Sequence, residues 1–113
     1  MAISKDSAKD WVELAGVVAM LKESRVSLTE GCRSIAEIYE RICGDPALDP
    51  YFEPFLEYDD KTISYPVGQE RQNWSQSALE RIDRERVAYE ESVRESLMQS
   101  VASLEIYAKS VAI

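Results

Sequence analysis

The chain has 113 residues, of which 45% are hydrophobic and 30% charged, enough for one domain with a single hydrophobic core. It contains no histidine, which excludes Cys-His and Ser-His nucleophilic sites and the common histidine-containing zinc sites. The formal net charge of −8 disfavours free nucleic acid as a ligand and favours basic partners, because nucleic-acid binding needs cations that displace phosphate counterions.

No segment of the sequence is expected to cross a membrane or direct secretion. The longest apolar stretch, residues 14–21, is much shorter than the roughly 20 residues that a membrane span needs. The N-terminal MAISKDSAKDW lacks the apolar core of a signal peptide. We therefore expect a cytoplasmic protein in which Cys32 and Cys43 are small, reduced and buried.

Two helices are predicted in the first 43 residues. Residues 7–25 carry apolar side chains at helical spacing. Ser27 and Glu30 have capping-box spacing and start a second helix over residues 28–43. The connection of about two residues predicts an antiparallel pair. The expected inward-facing residues are Trp11, Leu14, Ala15, Val18 and Leu21 in the first helix and Leu28, Cys32, Ile35, Tyr39 and Ile42 in the second.

Residues 44–74 are predicted to be a long irregular insertion. Pro46, Pro50 and Pro54 are four residues apart, and a helix interior does not accommodate this spacing because each proline removes a backbone hydrogen bond. We expect a series of turns, in which residues 59–62 could form the tip of a short hairpin. The side chains expected to pack into the core are Phe52, Phe55 and Leu56.

The last helical segment is predicted over residues 76–112. Ser75 is the expected N-cap, and Trp74 directly before it is expected to pack into the core as a hydrophobic staple. Asp83 could cap a fresh helix, so the segment forms either one helix or two with a break there. The charged residues 83–95 are expected to extend past the core or lie on its surface. The apolar seam that follows consists of Val93, Leu97, Val101, Leu104, Ala108 and Val111.

These elements predict an all-α fold with one domain over residues 1–113. It is a small antiparallel helical bundle with a long irregular acidic and aromatic insertion.

The insertion also contains the candidate functional residues. Six acids and no lysine or arginine lie between residues 44 and 60. Acids interleaved with aromatic side chains suit an interface with a basic partner, because aromatic rings supply anchors and carboxylates pair with lysine or arginine. We expect Tyr51, Tyr58, Asp59 and Asp60 to be the most exposed of them. The full set of candidate partner-binding residues is Asp45, Asp49, Tyr51, Glu53, Glu57, Tyr58, Asp59 and Asp60.

Two other chemistries have less support in the sequence. A weak calcium or magnesium site around Asp59 and Asp60 is one alternative, but acids spaced by four with intervening prolines differ from a calcium loop. An enzyme is the other, but the chain has no nucleophile elbow, phosphate loop or glycine-rich cradle. We assign no catalytic residue, no metal site and no cofactor.

Three stretches resemble a group of small bacterial proteins. They are SLTEGCRSIAEI, the acid-proline segment with DPYF, and DDKTISYPVGQERQNWS, and the similarity covers roughly residues 27–83. The shared pattern is an EGCR helix, a D-P-x-F segment and P-x-G-x-x-R-x-x-W before the last helices.

Compact acidic proteins of this kind resemble bacterial immunity proteins, which neutralise secreted toxins that are often basic nucleases. This resemblance implies a non-enzymatic protein that binds a basic toxin domain, and it transfers no catalytic residue. The alternative is a self-associating helical protein, such as a homodimer, with a structural or regulatory role.

Overall fold

The computed structural model describes residues 5–42, 49–63, 65–66 and 68–112, and it confirms the all-α prediction. Four α-helices form an antiparallel bundle, and none of the described residues forms a strand. Helix α1 packs against α2 and α4, and α3 packs against the same two helices, so α1 and α3 occupy diagonal corners of the bundle. The helices are α1 (Lys5–Lys22), α2 (Leu28–Ile42), α3 (Asp49–Thr62) and α4 (Gln76–Ala112), with a 3₁₀ helix (Gly68–Asn73) before α4.

The predicted capping box starts α2. The backbone N–H of Glu30 donates to Ser27 Oγ at 3.1 Å. Five residues connect α1 to α2, more than the expected two, and Ser24 among them has a left-handed φ of 58°. A Cβ added at Gly31 would clash with the side chain of Leu21, so glycine permits the close approach of the two helices.

Helix α3 replaces the predicted turns and hairpin, so that part of the prediction is wrong. Pro50 is the second residue of α3, where a backbone N–H would have no partner inside the helix. Pro54 lies inside α3, where it removes the bond to the carbonyl of Pro50 and crowds that carbonyl, so α3 accommodates one interior proline close to its start. Phe52 and Phe55 are buried in the core as expected.

Helix α4 is continuous over 37 residues, without the break considered at Asp83. Ser75 caps it as predicted, with the N–H of Ala78 donating to Ser75 Oγ at 3.2 Å. The staple prediction for Trp74 is wrong, because its side chain is 41% exposed. Arg71 instead ties the 3₁₀ helix to α4 through two hydrogen bonds to Asp83, at 2.8 and 2.7 Å.

The core lies between the four helices, and the predicted apolar stripes of α1, α2 and α4 line it, except that the side chain of Val111 lies outside the described part of the structure. Ala15, Tyr39 and Val93 are half-buried at its edge. Trp11 makes edge contact with Phe52 at a centroid distance of 6.3 Å, which joins α1 to α3 across the core. The buried residues of the core are Trp11, Leu14, Val18, Leu21, Leu28, Cys32, Ile35, Ile38, Ile42, Phe52, Phe55, Tyr58, Leu97, Val101, Leu104 and Ala108.

In the described part of the chain, no helix is both long and apolar enough to span a membrane.

Candidate functional site

The exposed side of α3 brings three of the predicted partner-binding residues together. Glu53, Glu57 and Asp60 are exposed at helical spacing on one face. Tyr51 is 37% exposed and its ring stacks on Tyr107 at a centroid distance of 4.2 Å. Tyr51 stands two residues before Glu53 and therefore lies on another side of α3. We call Glu53, Glu57 and Asp60 the α3 acidic face.

The carboxylates of the α3 acidic face are largely free of internal neutralisation. Among the described residues, no cation pairs with Glu53 or Asp60. Glu57 lies 3.8 Å from Lys61 Nζ, but both side chains are well exposed, so this pair is weak. The face therefore presents net negative charge to solvent.

Helix α2 carries a further exposed carboxylate on its side toward α3. Arg33 and Glu37 are one turn apart and lie on the same side of α2. Arg33 contacts Asp59 of α3, so that side of α2 borders α3. Glu37 is exposed and adds a further carboxylate on this side of α2.

Two of the residues expected to be exposed are not on the surface. Tyr58 is only 1% exposed, and Asp59 is largely buried. The expectation of exposure is wrong for both, because their side of α3 turns toward α2 and α4. Asp45 lies outside the described residues, and Asp49 is described only as the first residue of α3.

Tyr58 belongs to a buried polar network between α2, α3 and α4. Its hydroxyl donates to Glu90 Oε1 at 3.1 Å and lies 3.2 Å from Thr29 Oγ1. Arg86 donates to the same Glu90 oxygen at 2.8 Å. Burial is the main cause that raises the pKa of the Tyr58 hydroxyl, so it stays protonated and able to donate.

A second set of contacts holds the C-terminal end of α3. Arg33 Nη2 donates to the carbonyl of Thr62 at 3.0 Å, and Arg33 Nε lies 3.5 Å from Asp59 Oδ1. Burial, with the nearby charges of Asp59 and Glu90, raises the pKa of the Cys32 thiol to about 12. Cys32 is therefore a neutral thiol in the core. The contacts of Arg33 with Thr62 and Asp59 fix the orientation of α3.

Sequence reasoning missed this network. Thr29 and Glu90 are 61 residues apart in the chain, and no local sequence pattern predicts that they are in contact. One signal was available for Glu90, which stands three residues before Val93 and seven before Leu97, in register with the apolar seam of α4. An acid at that position faces inward and needs polar partners.

Two clefts lie between α3 and α4. The cleft between Pro54 of α3 and Tyr89 of α4 has a volume of about 160 Å³, and the cleft between Tyr51 of α3 and Ser103 of α4 has about 350 Å³. Ligand pockets usually measure roughly 300–1,000 Å³, so only the second reaches the lower end of that range. Among the described residues, no group of three or more His, Cys, Asp or Glu side chains could hold a metal ion.

Comparisons with protein-family models, with curated proteins and with solved structures give no match. The likeness to immunity proteins stays a hypothesis, and function is inferred from the geometry of the α3 acidic face.

Proposed function

We propose that this protein is an immunity- or antitoxin-like inhibitor that binds and neutralises a basic toxin domain through the α3 acidic face. The observation that supports this most directly is the exposed row of Glu53, Glu57 and Asp60, in which two carboxylates have no cation partner within the described residues. The net charge of −8 adds a long-range attraction for a basic partner.

Charge would act at two stages of binding. A negative surface accelerates encounter with a positive one, and the effect weakens as salt screens it. In the complex, carboxylates spaced over about 10 Å of helix would lie where a nuclease otherwise holds substrate phosphates. A nuclease domain is therefore the proposed toxin, and occlusion of its nucleic-acid groove the proposed mode of inhibition.

The α3 acidic face is also on a helix that internal contacts already fix in place before any partner binds. The contacts of Tyr58 with Glu90 and of Arg33 with Thr62 fix α3 on both neighbouring helices. A surface that is already ordered loses less conformational entropy on binding.

The first experiment is co-expression with the neighbouring open reading frame, followed by co-purification. The proposal requires that the neighbour is toxic alone and is tolerated and bound in the presence of this protein. A neighbour that is harmless, or that does not bind, would count against a toxin partner.

The second experiment locates the binding surface by association kinetics. The Glu53→Gln/Asp60→Asn variant should slow association about tenfold at low salt and flatten its salt dependence. The control variant Glu91→Gln/Glu95→Gln removes the same charge from exposed positions on α4 and should change the rate less than about twofold. Equal effects of the two variants would mean that overall charge, not this face, governs binding.

A further inference from the structure

The outward side of α1 is an apolar face that the bundle leaves uncovered. Val12 is 64% exposed and Met20 is 40% exposed, although both are large apolar residues. Gly16 lies midway between them, and a Cβ built there would meet nothing within 4 Å. Val12, Gly16 and Met20 follow one another at intervals of four residues, so they share one side of the helix. A soluble helix normally carries polar residues on this side.

Opposite charges flank this apolar face at equal distances. Lys9 and Glu23 are each seven residues from Gly16 and both are exposed. No acid within the described residues forms an ion pair with Lys9. Glu23 lies 3.4 Å from Arg25 Nη1, but both side chains are well exposed, so that pair holds it weakly.

We propose that a second copy of this chain covers this face, with α1 packed antiparallel against α1 and the two-fold axis at Gly16. In that register Val12 meets Met20 of the second copy, and Lys9 meets Glu23 of the second copy. A parallel pairing would place like charges together, so the charge pattern selects the antiparallel one. The missing side chain of Gly16 lets the two backbones approach closely at the axis.

The expected dimer is weak. Helix α1 has 18 residues, which corresponds to a length of about 27 Å. One helix pair of this length buries less than the roughly 1,600 Å² of a standard stable interface. Self-association is therefore expected at concentrations on the order of micromolar and above. This inference does not depend on the proposed toxin partner.

Charge reversal tests the register. Sedimentation velocity from about 1 to 300 µM should show a monomer–dimer equilibrium for the native chain. Lys9→Glu and Glu23→Lys should each weaken the dimer at least about tenfold, because each turns two symmetry-related attractions into repulsions. The combined variant Lys9→Glu/Glu23→Lys should restore the native dimerisation constant.

Three outcomes would overturn the proposal. The first is a native chain that stays monomeric over the whole range. The second is a dimer whose constant is unchanged in both single variants, since another surface would then form it. The third is a combined variant as weak as the single ones, which would contradict the antiparallel register.

Disulfide trapping gives an independent measurement of the axis. With Cys43 replaced by serine, Gly16→Cys should oxidise to a covalent dimer, because residues at a two-fold axis meet their own copies. Ala102→Cys, exposed on α4, is the matched control and should stay monomeric. Equal cross-linking of the two variants would argue against contact at Gly16.

Discussion

The buried contact between Tyr58 and Glu90 permits a quantitative test of how α3 is held. Replacing Tyr58 by phenylalanine keeps the ring in the core and removes only the hydroxyl, which donates to Glu90 Oε1 at 3.1 Å. A hydrogen bond to a charged group contributes about 1.5–3 kcal/mol. Glu90 keeps Arg86 at 2.8 Å, so we expect the lower value, about 1.5 kcal/mol of lost unfolding free energy.

Combining this change with Glu90→Gln measures the interaction itself. Glutamine keeps the shape of Glu90 but removes its charge, so the single variant should cost about 1–2 kcal/mol. Because each single change already weakens the same contact, the double variant should lose about 1 kcal/mol less unfolding free energy than the two single variants lose together. Urea unfolding at pH 7 gives all four free energies, and Tyr58→Phe should lower the melting temperature by about 6 °C.

A tyrosine on the same helix provides the control. Tyr51→Phe makes the identical chemical change at a partly exposed position and should alter the unfolding free energy by less than about 0.5 kcal/mol. The proposed role of the network would be refuted if Tyr58→Phe were as neutral as Tyr51→Phe, or if the Tyr58 and Glu90 effects simply added.

Two further predictions follow from pKa values. With Cys43 replaced by serine, a thiol reagent at pH 8 should label Cys32 only after unfolding, because burial raises its pKa to about 12; rapid labelling of the native protein would contradict this. Hydrogen bonding from Arg71 lowers the pKa of Asp83, so its carboxyl NMR titration should have a midpoint below the ordinary value of about 3.9 and rise toward it in Arg71→Gln. The stability that the Arg71–Asp83 pair contributes is complete above the unfolded-state pKa of Asp83 and is lost as pH falls through its lower folded-state pKa. Equal titration midpoints in the native chain and in Arg71→Gln would contradict this role of Arg71.

The sequence predicted the helices whose signals are local. Trp11, Leu14 and Val18 recur at the helical period, and all three are buried in α1. The caps at Ser27 and Ser75 were equally recognisable, because a capping side chain bonds to an N–H only three residues away. Periodicity and capping therefore sufficed for the fold class and for three of the four helices.

Helix α3 was missed because its prolines were treated as interior residues. Their effect depends on where the helix begins. With a start at Asp49, Pro50 lies in the first turn, where its missing N–H costs no bond inside the helix, and Pro54 lies inside the helix and costs one bond. The repeat alone did not distinguish these two positions.

The error about exposure has a different cause. A tyrosine is usually partly exposed because its hydroxyl needs a polar partner, which water can supply. Tyr58 finds those partners inside the protein, in Thr29 at a separation of 29 residues and Glu90 at 32. Burial of this kind is set by which helices pack together, and hence by contacts that no local window of sequence contains.

The two proposed surfaces make a joint prediction about stoichiometry. Because α1 and α3 occupy diagonal corners of the bundle, a dimer formed through α1 leaves both α3 acidic faces open on its outer sides. Light scattering of the toxin complex, above the dimerisation constant, should then give two copies of each protein. The Lys9→Glu variant should give one copy of each with unchanged affinity for the toxin. Loss of toxin binding in that variant, or two inhibitors holding one toxin, would show that the surfaces are not independent.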